Sequence, residues 1–210
     1  METPDRNKRV GADIAQDRKK QILKAAVEVF AERGFHRTRV SDIAKRAGVA
    51  YGLIYHYFHS KDDVLNSVFE QNWSVFLKVL HEIERDSTKD SSAKLSAIAA
   101  LLIDALQVAP QTIQVIIQEI SRSDRFVLPQ KVSAFRNAFS IVHNIIQHGQ
   151  TIGDIKEDID PLVSAYMFFG ALETICTGFM LKTIPCSSPE QAERMKRTVN
   201  EVMLLGMAKR

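Results

Sequence analysis

An all-α fold is what this 210-residue chain predicts, and three features predict it. Apolar residues recur at helical spacing along most of the sequence. No stretch beyond Lys61 alternates polar and apolar residues as a strand would. Only nine glycines and six prolines interrupt the pattern, leaving room for about nine helices. With 45% hydrophobic residues the chain can bury a full core and divide into a small N-terminal domain and a larger body.

The opening segment, residues 1–15, is polar and reads as a mobile basic arm. Its Arg6, Lys8 and Arg9 either reach a polyanion or stay solvated. An amphipathic helix follows and ends at Ala31–Phe35 (AERGF). The next helix starts near Thr38, whose hydroxyl suits an N-cap, and Val40, Ile43, Ala44 and Ala47 share its apolar face. Gly48 ends it, because glycine adopts the left-handed conformation without a Cβ penalty. A second short helix spans about Ala50 to Tyr57, with Leu53 or Ile54 and Tyr57 or Phe58 turned inward. Two helices joined by a glycine turn of about three residues form a helix-turn-helix, whose second helix enters a DNA major groove.

The outward residues suit that role. Tyr51, Gly52, Tyr55 and His56 face solvent, and hydroxyls, an imidazole and the Lys61 ammonium are donors to phosphate. Gly52 lets a backbone or a thymine methyl approach. Thr38, Arg39 and Ser41 at the start of the first helix, and Leu53 in the second, complete the candidate DNA contacts. Ser60 with Asp63 caps the following helix, whose N-terminal amides add a phosphate site.

Residues 16 to 64 resemble the DNA-binding domain of the tetracycline-repressor (TetR) family of bacterial transcription regulators. The resemblance rests on AERGF, then T-x-V-x-D-I-A-x-x-A-G-V over Thr38–Val49, then G-x-x-Y-x-Y-F-x-x-K over Gly52–Lys61. Many members carry serine where this chain has Ala50, which therefore supplies no polar contact and weakens one cap by about 1 kcal/mol. The resemblance implies a DNA-binding domain over 16–62 and a ligand-binding and dimerisation domain over 63–210.

The body reads as a long helix from about Ser60 to Asp86, with Val64, Phe69, Trp73, Phe76, Leu77 and Leu80 inward. Helices follow at about 92–107, 110–121 and 130–150, with a break at Arg122–Pro129. The turn Gly153–Pro161 leads into a very apolar helix to about Lys182, and the loop Pro185–Glu190 precedes a last one to about Met207. In the penultimate helix Gly170, Thr174 and Gly178 recur every fourth residue beside Met167 and Ala171. In the last, Met195, Val199, Val202, Met203 and Gly206 repeat at near-heptad spacing. These positions read as intrachain core or as a dimer interface. The resemblance favours a two-fold four-helix interface, and a symmetric dimer requires a palindromic operator.

Charge divides unevenly. Residues 1–61 carry a net +6 and residues 62–210 a net −3, so phosphate is met at one end only. No apolar run approaches the roughly 20 residues of a membrane span, and a cytoplasmic protein without a membrane partner is expected. Cys176 and Cys186 lack a C-x-x-C spacing and read as reduced thiols. Without a nucleophile–base pair, a phosphate loop or a metal cluster, no enzyme, metal site or cofactor is expected.

The stretch His148–Leu181 resembles TetR-type regulators of fatty-acid degradation, which respond to long-chain acyl-CoA. That implies a ligand-responsive repressor with an apolar effector. Trp73, Phe76, Leu77, Phe139 and Phe169 are candidates to line an acyl tunnel, and Arg122 and Arg125 to hold a pyrophosphate. Glu119, His143 and Glu173 lie in apolar helices, where they either orient a ligand or satisfy each other. The alternatives are a regulator of efflux or xenobiotic response with another hydrophobic ligand, and an architectural protein that coats DNA. The concentration of basic charge at one end argues against coating.

Overall fold

The structure, a computed structural model, describes residues 5–120 and 129–207, with side chains described over 14–119, 132–204 and 206–207. Every regular element among them is helical: α1 (Asp5–Arg33), α2 (Val40–Ala47), α3 (Tyr51–Tyr57), α4 (Lys61–Arg85), α5 (Ser91–Val108), α6 (Pro110–Ile120), α7 (Pro129–Ile152), α8 (Pro161–Met180) and α9 (Pro189–Val199). The last continues through a π-helical turn, Asn200–Leu204, into the final turn Leu205–Met207.

The chain forms two compact units that meet between Asn72 and Trp73. That boundary lies inside α4, about ten residues beyond the expected 62/63. The reason is packing: Val64, Leu65, Val68 and Phe69, on the first turns of α4, are all buried in the first unit's core. They join Ile22, Ala26, Val29 and Phe30 of α1, Ile43, Ala44 and Ala47 of α2, Ile54 of α3 and Phe58. Each large side chain so buried contributes about 1.5–3 kcal/mol.

The N-terminal arm also needs correction. Helix α1 begins at Asp5, so the positions of Arg6, Lys8 and Arg9 lie on its backbone and the arm is no separate segment. Only Gly11 in this stretch opposes helix, and the Arg, Lys, Ala and Gln around it favour it.

In the second unit α7 packs on α8, α5 on α7 and α9, and α6 on α8. The core gathers Leu80, Leu95, Ile98, Ile103, Leu106, Ile141, Val142, Ile145, Ile146, Phe168 and Leu172. Helices α5 and α8 reach the length and apolarity of a membrane span, against the expectation that no segment would. Both supply core residues, and a helix packed on several sides reads as apolar nearly all round. Their ends are set locally. Asp90 caps α5 by accepting from Ala93 N at 2.7 Å, and Asp160 caps α8 by accepting from Leu162 and Val163 N. Ser188 and Gln191 form a capping box on α9.

Candidate functional site

The helix-turn-helix is built as its spacing requires. Gly48 ends α2 in the left-handed region with φ 65°, donating to Lys45 O, while Val49 N donates to Ala44 O. Gln21 Nε2 donates to Ala47 O at 2.7 Å and fixes this turn to α1. Arg46 spans from α2 to Glu28 and Glu32 of α1 at 3.1 and 2.7 Å, and Arg33 pairs with Asp42 at 2.9 Å. These pairs hold the Glu32 carboxyl below its ordinary range, chiefly through the Arg46 hydrogen bond. The Asp42 carboxyl is held down first by the Arg39 backbone N–H.

With Ile54 and Phe58 buried, the opposite side of α3 is open: Tyr51 is 53% and Tyr55 45% exposed, and Gly52 and His56 lie between them on the surface. A Cβ on Gly52 would meet nothing within 4 Å, so the backbone there is approachable. The two tyrosine hydroxyls lie 3.0 Å apart with their rings edge to face. Hydrogen bonding to Tyr51 holds the Tyr55 phenol above its ordinary range. Because one hydroxyl proton is spent on the other oxygen, the pair presents one outward donor where the sequence suggested two. Arg39 and Ser41 are exposed at the start of α2, and Leu53 is half-buried beside Ile54.

Two expected DNA contacts are corrected. Thr38 is neither the cap of α2 nor available to a groove. It is 2% exposed, and its hydroxyl donates to Gly34 O at 2.8 Å, closing the α1–α2 connector instead. The cap residue is Arg39, whose backbone N donates to Asp42 Oδ2 at 2.9 Å. The Lys61 ammonium, expected on phosphate, donates to Phe35 O at 2.8 Å, Thr38 O at 2.9 Å and His36 O at 3.4 Å. Ser60 does cap α4, accepting from Asp63 N at 3.0 Å, while Asp63 accepts from His59 N.

In the second unit the expected ligand aromatics do come together. Trp73 lies 5.3 Å from Phe76, Phe76 6.5 Å from Phe169, Phe169 5.0 Å from Phe139, and Phe139 stacks on Tyr166 at 4.3 Å, all between ring centroids. Phe135, which sequence reasoning missed, extends this chain of rings, 4.7 Å from Trp73. Phe76, Leu77 and Phe169 are half-buried against the core. Glu119 is buried, at 2% exposure, in α6. Glu173 is half-buried on α8, and His143 lies 3.3 Å from Asn144 Oδ1. Arg122 and Arg125 lie outside the described residues.

The expected dimer stripe divides in two. Met167 is 67% exposed, Val202 73%, and Gly170, Thr174 and Gly206 are also exposed; Val163 (55%), Tyr166 (57%) and Leu181 (69%) belong to the same apolar face. Ala171 is half-buried. Gly178 and Val199 are buried and are withdrawn from the interface, and Met195 and Met203 pack against the core. For Gly178 the cause is the turn after α8. Thr183 and Ile184 donate to its carbonyl, laying Ile184 where a Cβ would meet it at 2.6 Å.

A glycine-turned helix pair with an outward aromatic and polar second helix, carried beside a separate helical body, defines a helix-turn-helix transcription regulator. Comparison with known proteins agrees. Residues 22–68 match the model for bacterial regulatory proteins of the tetR family, and residues 69–202 that for the C-terminal region of YsiA-like proteins. This chain belongs to the TetR family of bacterial transcription regulators. It is 36% identical over 165 residues to the fatty acid metabolism regulator protein of Bacillus subtilis, covering 76% of this chain and 82% of the relative. The crystal structure of the transcriptional regulator FadR from Bacillus subtilis in complex with stearoyl-CoA superposes with a TM-score of 0.77 at 28% identity, over 90% of this chain and 98% of the other. The fatty acid degradation regulator FadR from Bacillus halodurans gives 0.80 at 27% identity, over 92% and 97%. The relatives are regulators of transcription and the chain is not an enzyme.

Proposed function

We propose that this protein is a homodimeric, acyl-CoA-responsive repressor acting in the cytoplasm, and that long-chain acyl-CoA releases it from a palindromic operator. The observation that carries the effector assignment is the continuous chain of rings from Phe135 and Trp73 to Tyr166 in the second unit, an apolar aromatic wall suited to a fatty chain. The relative solved with stearoyl-CoA supports the same ligand class. On the DNA side, Tyr51, Gly52, Tyr55 and His56 read or brace the groove, with Arg39 and Ser41 on the flanking backbone. On the dimer side, a second copy covers the exposed face of Val163, Tyr166, Met167, Leu181 and Val202, since so many large apolar residues on one face mark an association surface.

Operator release tests the assignment. A palindromic duplex enriched from a random library is bound by the protein and titrated with acyl-CoAs of increasing chain length, with fluorescence anisotropy as the readout. Release should strengthen with chain length. Release by an efflux substrate such as triclosan, and by no acyl-CoA, would replace the effector while leaving the DNA assignment intact. Enrichment of no sequence would favour a coating protein.

A further inference from the structure

The hydrogen bonds of Lys61 identify a residue that determines DNA specificity without touching DNA. Helix α1 ends at Arg33, and Gly34, in the left-handed region at φ 73°, starts a connector of six residues that delivers the chain to α2. A connector this short fixes the entry of α2, and α3 follows within three further residues. The orientation of the reading helix therefore inherits the geometry of residues 34–39.

That connector is held from α4. The Lys61 ammonium donates to the carbonyls of Phe35, His36 and Thr38, so its three protons are all directed at one stretch of backbone. It also stands 4.3 Å above the centroid of the Phe35 ring, which itself packs 5.6 Å from buried Phe30. Thr38 closes the same loop from the inside, donating to Gly34 O. A lysine committed this way has no proton left for a phosphate. Moving it to DNA would expose two part-buried carbonyls, at Phe35 and Thr38, without a replacement donor.

We infer that Lys61 is a positioning residue: it locks the α1–α2 connector to the start of α4 and so sets the angle at which α3 is offered to the groove. This inference rests on the DNA-binding reading above. It separates from a phosphate contact by salt dependence and specificity. A phosphate contact contributes equally to every duplex and steepens the salt slope by about 0.9 for each head. A positioning residue contributes mainly where base edges must be met, and leaves the slope alone.

The experiment measures wild type, Lys61→Met and Lys61→Arg on the library-selected palindrome and on a scrambled duplex of equal length, at four salt concentrations, with thermal unfolding as the fold control. For Lys61→Met the expected results are a loss of about tenfold or more on the palindrome, a smaller loss on the scrambled duplex, and an unchanged slope. Arginine should not restore the palindrome affinity, because a planar fork cannot address three carbonyls on one side of a ring. Should Lys61→Met not fold, Phe35→Leu and Thr38→Val loosen the same connector, and each is expected to reduce the specificity ratio at constant slope. A slope reduced by about 0.9 for each head, with affinity kept by Lys61→Arg, would overturn the inference and restore the phosphate contact. Equal losses on both duplexes would overturn it as well. A wild-type protein that enriches no duplex would instead remove the DNA-binding reading on which the role depends.

Discussion

Replacing Gly149 by alanine should destabilise the second unit by more than any other single methyl group the structure suggests. Gly149 lies on α7 and is buried. A Cβ there would stand 2.5 Å from Asp154 Oδ1, 2.7 Å from Ser91 Oγ and 2.8 Å from Ile155 Cδ1, all closer than van der Waals contact allows. Ser91 and Ile155 are themselves fully buried and have little room to retreat. Asp154 has work to do as well: its Oδ2 accepts from Ser91 N at 2.7 Å, at the N-terminus of α5, where a carboxylate is favoured by the helix dipole. The cost has two parts, about 1–3 kcal/mol of overpacking and about 1.5–3 kcal/mol if Asp154 is driven off the amide. Alanine's better helix propensity returns about 1 kcal/mol. A net loss of roughly 2–5 kcal/mol lowers the unfolding midpoint by about 5–15 °C in a chain of this size. Calorimetry or ellipticity at 222 nm measures it, with Asp154→Asn as a size-matched companion expected to lose less. A midpoint for Gly149→Ala within about 2 °C of wild type would show that the clasp between α5 and α7 yields at little cost, and the overpacking argument would fail.

Because the Tyr51 and Tyr55 hydroxyls share a hydrogen bond, Tyr51→Phe and Tyr55→Phe should each cost less than about threefold in operator affinity, while the double variant costs tenfold or more; strictly additive losses would mean that each hydroxyl acts alone. Met167→Glu combined with Val202→Glu should give a monomer by light scattering and reduce operator affinity at least tenfold, since paired half-sites need paired heads. A dimer that survives both substitutions would place the association face elsewhere. Burial pushes the Cys176 thiol up to about 11. Between the ordinary thiol range and that value the unfolded chain has released this proton and the folded chain has kept it, so stability falls as pH rises through the window. Alkylation of Cys176 in the folded protein, followed by mass spectrometry, should stay slow at pH 9 and accelerate only towards pH 11, and fast labelling at pH 8 would contradict the burial.

Whether a residue was legible in the sequence depended on whether its role was local. Gly48, Val49 and the inward Ile54 and Phe58 follow from periodicity and one turn, and the structure has them as expected. Thr38 and Lys61 were misread for a shared reason. Both stand at helix starts, where a hydroxyl or an ammonium has local work to do, yet their partners lie in the α1–α2 connector. No propensity argument reports a contact between Lys61 and Phe35, 26 positions apart. Gly178 and Val199 fell on the expected stripe because helical spacing cannot tell a face covered by its own chain from a face left open. Only the reversal at Lys182, with φ 58°, decides that Ile184 lies on Gly178. Phe135 escaped notice because its helix carries apolar residues on more than one side. The aromatic cluster was partly foreseen, since Trp73, Phe76 and Leu77 share one face of α4 and mark its inward side.

The chain passes from the first unit to the second once, within α4, and the structure fixes this helix at each end by the same device. At its start, Lys61 donates to three carbonyls of the α1–α2 connector. At its finish, Lys94 donates from α5 to Glu84 O at 2.8 Å and is only 8% exposed, while Asn144 and His81 bind the two carboxylate oxygens of Glu84. An ammonium so nearly buried is costly unless its protons are placed, and the negative end of a helix is where placing them helps most. Trp73 and Phe76, which begin the chain of aromatic rings, lie on the same helix between these two anchors. On the proposed reading, an effector seated against those rings therefore touches the element whose first residue holds the DNA-reading connector. Coupling of the usual size, about 1–3 kcal/mol, then requires only that the ligand prefer one setting of α4 over another by that amount. Loosening either lysine should reduce that coupling even where effector and operator each bind.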